Sequence, residues 1–547
     1  MSRSRYGSDF NWIIFGISLI ICLAITAVVW YFVLPAINLG YPAFWWTIIL
    51  GVGGSILLSV FLGEFEDYDH TKSVIILTII AIISIILLIL LICSSRVVAA
   101  NKYKDIAQIE NDGIFVEDIP AIDSSDDIPT IDKATAQKLG DRAMGTMEKY
   151  LSQYEVSSEY NLICYKGSYY RVSPLMYGNF FKYLNSKEVG IPAYVLVDVY
   201  TGKVELIELE AGKTIQYAPS ACFSKNLNRY LRGKYPTKVF AEANFEIDDD
   251  GTPYYIVPTL KVNAGLFGAP SINTVLLVNA VTGDVKEYSI DKVPDWVDNV
   301  YDVTRIMNEI DWKYSLVHGY FNFSKKDVRK TSYSFDYNQY YAIPKDGHVY
   351  IYTGVTSAGG DEANIGFLLI NMRNGKATYY PDPGAEESSA QASARGLVQQ
   401  YGYSAGPVML VNINDEQTYF FALKDNQLLI KKYALVNKAD YTIVVVEDSI
   451  EQAVNVYREK LNLVSTEPII EAPIEEKTVT GIVSSVYEVT MDGNTMFIIY
   501  LEGKNELYVS TIANSFEQPA KLIPTASVTM NYTVANDTNM VNEITFN

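Results

Sequence analysis

Three long runs near the N-terminus are apolar and carry no charge: Trp12 to Leu34, Phe44 to Leu62 and Ser73 to Cys93. Each is close to the ~20 residues that a helix needs to cross ~30 Å of hydrocarbon. The pattern therefore predicts three transmembrane helices in a membrane domain over residues 1–95. Trp12, Trp30, Tyr31, Trp45 and Trp46 stand where an interfacial aromatic belt would lie. In the second run Gly51, Ser55, Ser59 and Gly63 recur every four residues. On a helix they share one face and suit close helix packing. Arg3 and Arg5 favour an inside N-terminus, which places the large C-terminal part outside the cell.

Beyond Arg96 the pattern changes to short alternating strands and amphipathic helices. Residues 96–132 are acidic, broken by Pro120 and Pro129, and read as an extended connector. Ala134 to Tyr154 has Leu139, Ala143, Met147 and Leu151 on one stripe and reads as a helix. Then one pattern recurs. PAYVLVDVYTGKVELIEL (Pro192–Leu209), TVLLVNAVTGDVKEYSI (Thr274–Ile290) and IGFLLINMRNGKATYYP (Ile365–Pro381) are each a strand, an Asp or Asn, a turn ending in Gly, and a second strand. Gly202, Gly283 and Gly375 suit the positive φ of a tight turn. An aromatic strand precedes each: SYYRVSPL, PYYIVPTL and VYIYTGV. Clear helices precede two of those strands, at Ala134–Tyr154 and Ser220–Tyr235. A fourth block has a helix at Ser388–Tyr401, strands at Val408–Ile413, Thr418–Leu423, Leu428–Val436 and Tyr441–Val446, and a closing helix at Ile450–Leu461.

The fold class is therefore α+β, with a helix laid on an antiparallel meander as the unit. The blocks are residues 133–212, 213–293, 294–384 and 385–462. A Pro/Glu linker occupies 463–477. Residues 478–547 alternate as five strands, with Asp492–Asn494 at a turn, and suggest a small barrel similar to an OB fold.

The hairpin motif of these blocks resembles PepSY-like modules of exported bacterial proteins, over roughly residues 134–460. IPTIDKATAQKLGDRAMG, GLFGAPSINTVLLVNAVTG and GAEESSAQASARGLVQQYGY are similar to segments of large membrane proteins of Gram-positive bacteria, some labelled colicin-V-production-like or cell-shape-determining. The resemblance implies an exported binding or inhibitory role and carries over no catalytic residue.

Charge narrows the partners. The chain of 547 residues has a net charge of −20. Such acidity excludes nucleic acid, which needs clustered cations; in the last domain Lys477, Lys504 and Lys521 are outnumbered by acids. The lipid bilayer is the expected partner, with a second copy or a cell-surface protein beside it. Forty-two tyrosines give large contact area at low entropy cost, although strand propensity accounts for tyrosine equally well.

Motifs for chemistry fail on spacing. Gly402-Tyr403-Ser404-Ala405-Gly406 matches a hydrolase elbow, but a helix precedes it, a strand follows it, and no histidine lies beyond it. Asp248-Asp249-Asp250-Gly251 suggests calcium, yet Val257 stands where the loop needs a bidentate Glu. Asp361 and Glu362 read the same way, as an acidic turn. Gly212-Lys213-Thr214 has Ile207 where a P-loop needs glycine. His318 and His348 lack a partner at metal spacing. Cys164 and Cys222 are either a bridge or two free thiols. No catalytic residue, cofactor or metal is expected. The reading is a multi-pass, non-enzymatic structural or assembly protein of the cell membrane. Its alternative is a PepSY-like regulator of a membrane or wall peptidase.

Overall fold

The computed structural model describes residues 12–63, 70–111, 113–122, 124–145, 148–332, 341–358, 363–466, 477–491, 494–504, 506–511, 522–535 and 538–546. Arg3 and Arg5, Asp361 and Glu362, the linker beyond Thr466 and the Asp492–Gly493 turn lie outside the described residues. Two units divide the chain, residues 1–458 and 459–547.

Three apolar helices come first: α1 (Trp12–Val33), α2 (Pro42–Gly63) and α3 (His70–Cys93). Among the described residues one of them, over Gly16–Val33, is long and apolar enough to cross a membrane, with a mean hydropathy of 2.4. The apolar stretches Pro42–Leu58 and Thr78–Cys93 are shorter. Length and composition thus support one span rather than the three expected.

The segment read as an extended connector is sewn into the fold. It carries α4 (Ala100–Lys104), β1 (Ile109–Glu110) and α5 (Phe115–Asp118). Phe115 is buried edge-on against Phe367, and the Ile122 amide donates to Asn412 O at 2.8 Å. Its apolar positions, and not its prolines, decided its course.

Four sheets follow. α6 (Lys133–Gly145) and α7 (Glu148–Leu151) precede β2 (Tyr154–Val156), β3 (Asn161–Tyr165) and β4 (Ser168–Tyr177). Then come α8 (Phe180–Ser186), β5 (Ala193–Asp198) and β6 (Val204–Glu208). The second sheet has α9 (Leu227–Lys234), β7 (Val239–Phe240), β8 (Asn244–Ile247), β9 (Pro253–Ala264), β10 (Gly268–Asn279) and β11 (Val285–Tyr288). The third has α10 (Val303–Ser315), β12 (Arg329–Thr331), β13 (Tyr341–Lys345), β14 (His348–Ser357), β15 (Ala363–Asn371), β16 (Ala377–Tyr380) and β17 (Gly384–Ala385). The fourth has α11 (Glu387–Gly396), β18 (Ser404–Ala405), β19 (Met409–Ile413), β20 (Glu416–Lys424), β21 (Ile430–Asn437) and β22 (Val444–Glu447). The orders are β2-β4-β5-β6, β7-β9-β10-β11, β12-β14-β15-β16 and β18-β20-β21-β22. In each sheet the skipped strand (β3, β8, β13, β19) pairs with the strand after it. The third sheet also gains β17, and β1 in parallel on β16.

A shared device ends the third long strand of each sheet. Asp198, Asn279, Asn371 and Asn437 each accept two N–H groups of the following turn through Oδ1. The next carbonyl (Val199, Ala280, Met372, Lys438) accepts from Ile131, Tyr217, Tyr301 or Ala385, in the chain leading to that sheet's helix. The sheet end thereby fixes where the helix starts. Asp132, Asn226 and Asp302 then cap α6, α9 and α10 through a backbone N–H three residues on.

One continuous core runs under the first three sheets, with Val172, Ile256, Val275, Ile351 and Ile370 among its members. A second core joins Phe367, Leu369 and Tyr352 to Tyr419, Phe421 and α11. The third sheet is therefore buried on both faces, which explains the unbroken apolar run FLLI in β15.

Some helices differ from expectation. Of the helix expected over Ala134–Tyr154, the described parts are α6 and α7, and Tyr154 already begins β2. The helix expected from Ser220 starts at Leu227. The third block has a helix, α10, that the sequence reading missed. The closing helix, α12 (Ile450–Thr466), is longer than expected.

The second unit contains a closed barrel of β23 (Lys477–Met491), β24 (Asn494–Leu501), β25 (Leu507–Thr511), β26 (Ser527–Ala535) and β27 (Thr538–Phe546). Its order is β23-β24-β25-β27-β26, and β25 runs parallel to β27. Val483, Ile499, Tyr508, Val528 and Met530 fill it.

A buried ion pair joins the first sheet's helix cap to the fourth sheet: Lys424 Nζ to Asp132 Oδ2, both nearly inaccessible. Burial pushes the Asp132 carboxyl up, but the Lys424 charge and hydrogen bond outweigh it and hold the carboxyl below its ordinary value. Removing one member strands the other charge. Lys424→Ala is expected to cost about 3–5 kcal/mol in chemical unfolding of the purified chain; a loss under ~1 kcal/mol would mean the pair is solvated.

Candidate functional site

The region with the most unusual chemistry is the end of the apolar helices where α1 exits, α2 begins and α3 ends. A helix end leaves its last carbonyls without intrahelical donors. Two arginines of α9 supply them. Arg229 Nη2 donates to Tyr31 O at 3.1 Å and its guanidinium stacks on the Tyr31 ring at 3.9 Å. Arg232 Nε donates to Leu34 O at 3.0 Å, and its Nη1 reaches the carbonyls of Tyr235, Pro236 and Lys238. The α1–α2 turn is held as well: Ile37 N donates to Pro236 O at 2.8 Å and Asn38 Nδ2 to Thr237 O at 2.9 Å. Cations also suit the negative end of the helix dipole.

The β9–β10 hairpin tip meets α3. Ser94 Oγ accepts from Leu266 N and Phe267 N at 3.0 and 3.2 Å. A Cβ on Gly268 would fall 1.9 Å from Ser94 O, so glycine is required there. Phe267, Trp45, Trp46 and Leu88 line an apolar cavity of about 240 Å³ between α2 and α3.

Beside this junction lies an open cleft of about 740 Å³ between α4, the β9–β10 hairpin, α10 and the Asn371 turn. Lys102, Lys261 and Lys376 line it with Asp105, Asp291, Tyr301 and Glu309. Glu309 is 5% exposed, and its Oε1 has no hydrogen-bond partner. Burial pushes its carboxyl up to about 7, with Arg305 opposing the shift. On the same helix burial raises Asp311 to about 6.

A second acidic cluster is sealed between the first three sheets. Glu246 Oε1 accepts from Asn299 N and Asn299 Nδ2, and its Oε2 accepts from Asp298 N. Asp298 Oδ2 accepts from Cys164 N at 2.6 Å, and His348 Nδ1 lies 3.8 Å from Asp298 Oδ1. Burial raises both carboxyls, and for Glu246 the nearby Asp298 charge adds to it. Burial, then the Asp298 charge, also raises the Cys164 thiol. A nucleophilic cysteine needs the opposite shift. Asn299 Nδ2 also donates to Leu162 O, so the cluster ties β3, β8 and the chain before α10 together.

The expected residues fall as follows. Gly202, Gly283 and Gly375 have φ of +70°, +79° and +73°, and each ends its Asx turn. Gly51 faces α1, since a Cβ there would stand 2.7 Å from Thr26 Oγ1; Ser55 is buried beside it. Ser59 and Gly63 follow on α2, but their surroundings lie outside the described residues. Cys164 and Cys222 are free thiols. Ser404 opens β18 at a sheet edge, with Oγ bonded to Lys424 O. Asp248 caps its own hairpin turn through Asp250 N and Thr252 N. His318 pairs with Asp327 at 2.7 Å. Among the described residues no three metal-ligating side chains converge. Glu246, Asp298, Glu309, Arg229 and Arg232 were missed. Only the arginines left a signal, as two cations on a short amphipathic helix.

No protein-family model and no curated protein matches the chain. Three solved structures align weakly. An ACO/RPE65 chimera is 10% identical, covering 53% of this chain and 50% of that one, with a TM-score of 0.14. A cobalt-substituted ACO from Synechocystis is 9% identical over 53% and 50%, with a TM-score of 0.13. A levansucrase from B. megaterium is 11% identical over 82% and 97%, with a TM-score of 0.16. The chain spans about half the length of the two ACO structures. These scores are too low to carry an argument about fold or chemistry.

Two outcomes follow. Arg232→Ala removes four donated bonds and is expected to raise amide exchange several-fold in residues 31–41 and 232–240, with the fourth sheet unchanged; unaltered exchange there would mean the arginine does not hold the junction. Glu309 binds its proton more tightly folded than unfolded. Its contribution therefore falls as pH rises from its ordinary 4.5 to about 7. Glu309→Gln should flatten that decline in a pH series of unfolding midpoints, and an unchanged slope would assign the decline to other groups.

Proposed function

We propose that this chain is a membrane-anchored, non-enzymatic scaffold that presents four related modules at the cell surface for self-association or partner binding. The observation that carries the reading is the grip of Arg229, Arg232 and the β9–β10 tip on the helix ends. It fixes a large folded body to an apolar stalk through many directed bonds and not through a loose tether.

In this reading all three apolar helices lie in the bilayer. Gly51 against Thr26 supports packing of α2 on α1, and Ile75, Ile79, Ile82, Ile86 and Ile89 remain exposed along α3, as lipid-facing residues are. The four sheets are copies of one PepSY-like module, supported by their common strand order and their four Asx turns. The barrel is OB-like, supported by the order β23-β24-β25-β27-β26. It serves as a protein-contact element, since its surface has few cations. The modules face outward, as Arg3 and Arg5 favour. The buried acids are structural: both oxygens of Glu246 and Oδ2 of Asp298 accept backbone amides of neighbouring modules.

Extraction in mild detergent followed by mass photometry tests the proposal. Discrete oligomers, or a stoichiometric complex with another membrane protein after cross-linking in cells, are expected. A strict monomer that cross-links to nothing overturns it, as does turnover of a substrate by the purified chain.

A further inference from the structure

Two exposed clusters built on phenylalanine flank the junction with the apolar helices. In the first, Phe180 and Phe181 open α8, and Phe223 packs on Phe180 with ring centroids 6.0 Å apart. Phe181 is 73% exposed. Phe223 O accepts from Arg229 Nη1 at 3.3 Å, and that guanidinium also holds Tyr31 O at the end of α1. The cluster is therefore one arginine away from the exit of the first apolar helix.

In the second cluster, Tyr320, Phe321 and Phe323 project from the loop after α10. Phe321 is 63% exposed and Phe323 87%. The loop is built and not loose. Asn322 Nδ2 donates to Lys326 O, and Asn322 Oδ1 accepts from Lys326 N. Just before it, Leu316 is buried with Ala99, Ala100 and Tyr103, which follow α3, and with Ala264 and Ala269 of the β9–β10 tip. Tyr103 Oη donates to Ser94 O at the end of α3. This cluster thus flanks the exit of the third apolar helix. α1 ends, α2 begins and α3 ends on one side of the helix bundle, so both clusters border that side.

Charge points the same way. The chain as a whole is at −20, yet the first cluster sits near Lys182, Lys187, Lys225 and Arg229; Glu155 pairs with Lys182 at 3.5 Å, and Glu188 follows Lys187. The second is followed by Lys325, Lys326, Arg329 and Lys330, interrupted by Asp327. Lys325, Lys326 and Lys330 are exposed. Exposed phenylalanines beside lysines are the combination that binds a bilayer interface: the rings enter the headgroup–acyl boundary, and each cation near an anionic surface strengthens the attachment. A protein partner would fit one such patch. Two patches on separate modules, both beginning where apolar helices end, fit a plane.

We propose that Phe180, Phe181 and Phe223 on one flank, and Phe321 and Phe323 on the other, insert into the same leaflet of an anionic bilayer, so that the domain lies down on the membrane at two points beside its helical stalk. The inference rests on the anchored reading above.

Full-length protein in nanodiscs containing phosphatidylglycerol tests it. Spin labels are placed at Phe181→Cys, Phe323→Cys, Ile79→Cys and Tyr441→Cys, with the four native cysteines changed to Ser, and collisions with oxygen and with a nickel chelate are compared. Labels at 181 and 323 are expected to favour oxygen, with nickel access several-fold below that at 441; the label at 79 reports the lipid interior. If 181 and 323 match 441 while 79 stays in lipid, the two-point contact is overturned and the anchor stands. If 79 is also reached by nickel, the anchored reading falls too. Should the cysteine-free chain not fold, Phe323→Trp in the native background replaces it. Brominated lipids then quench the added emission if the inference holds and leave it unchanged if it does not. Replacing phosphatidylglycerol by phosphatidylcholine should raise nickel access at both positions if the lysines contribute as argued.

Discussion

A helix must find donors for its last carbonyls, and here those of the first apolar helix come from the folded domain. Arg229 and Arg232 reach Tyr31 O and Leu34 O from the short helix α9. Because α9 is itself fixed on the second sheet by Leu227 and Leu231, satisfying α1 also orients that sheet. The β9–β10 tip does the same for α3 through Ser94. These two sets of bonds tie the second sheet to the helix ends. An arginine suits this place because its planar fork serves several carbonyls at once while its charge complements the helix dipole.

In each of the four sheets one local rule recurs. An Asx residue ends a long strand, folds the turn onto its own Oδ1, and presents the next carbonyl to the chain entering a helix. Each helix start is thus tied to its own sheet end before any tertiary packing is considered. Between modules the rule is different. Buried polar groups do the joining: Glu246 with the amides of Asp298 and Asn299, and Lys424 with Asp132. Such pairs add little net stability compared with apolar packing, but they are costly to break or to misplace, and so they select one register of module against module.

The same physics accounts for the acids whose protonation is most perturbed. Glu309 and Glu246 are raised because they are buried. Glu246 uses its oxygens to bind backbone N–H groups, whereas Glu309 keeps one oxygen unpartnered in a lysine-lined cleft. Neither stands with an activated nucleophile. Cys164, the thiol nearest to such a cluster, has its ionisation suppressed by burial and by the Asp298 charge.

Much of the local structure was legible in the residues alone. The uncharged runs gave three helices, and the D/N-x-x-x-G turns gave the hairpins and their positive-φ glycines. Those features depend on period and on backbone sterics within a few residues. The α+β class followed from the same patterns. What the sequence obscured were features that depend on distant partners. The stripe of α10 is hidden because Glu309 and Asp311 sit on its buried side. The connector looked extended because its strand pairs with Ala377 and Thr378, far along the chain. Glu246, Asp298, Lys424 and the two arginines look like ordinary surface charges until the fold surrounds them. A residue's neighbours in the chain set its backbone; the cost of burying its charge is set by groups from other modules, and only the tertiary structure brings those together.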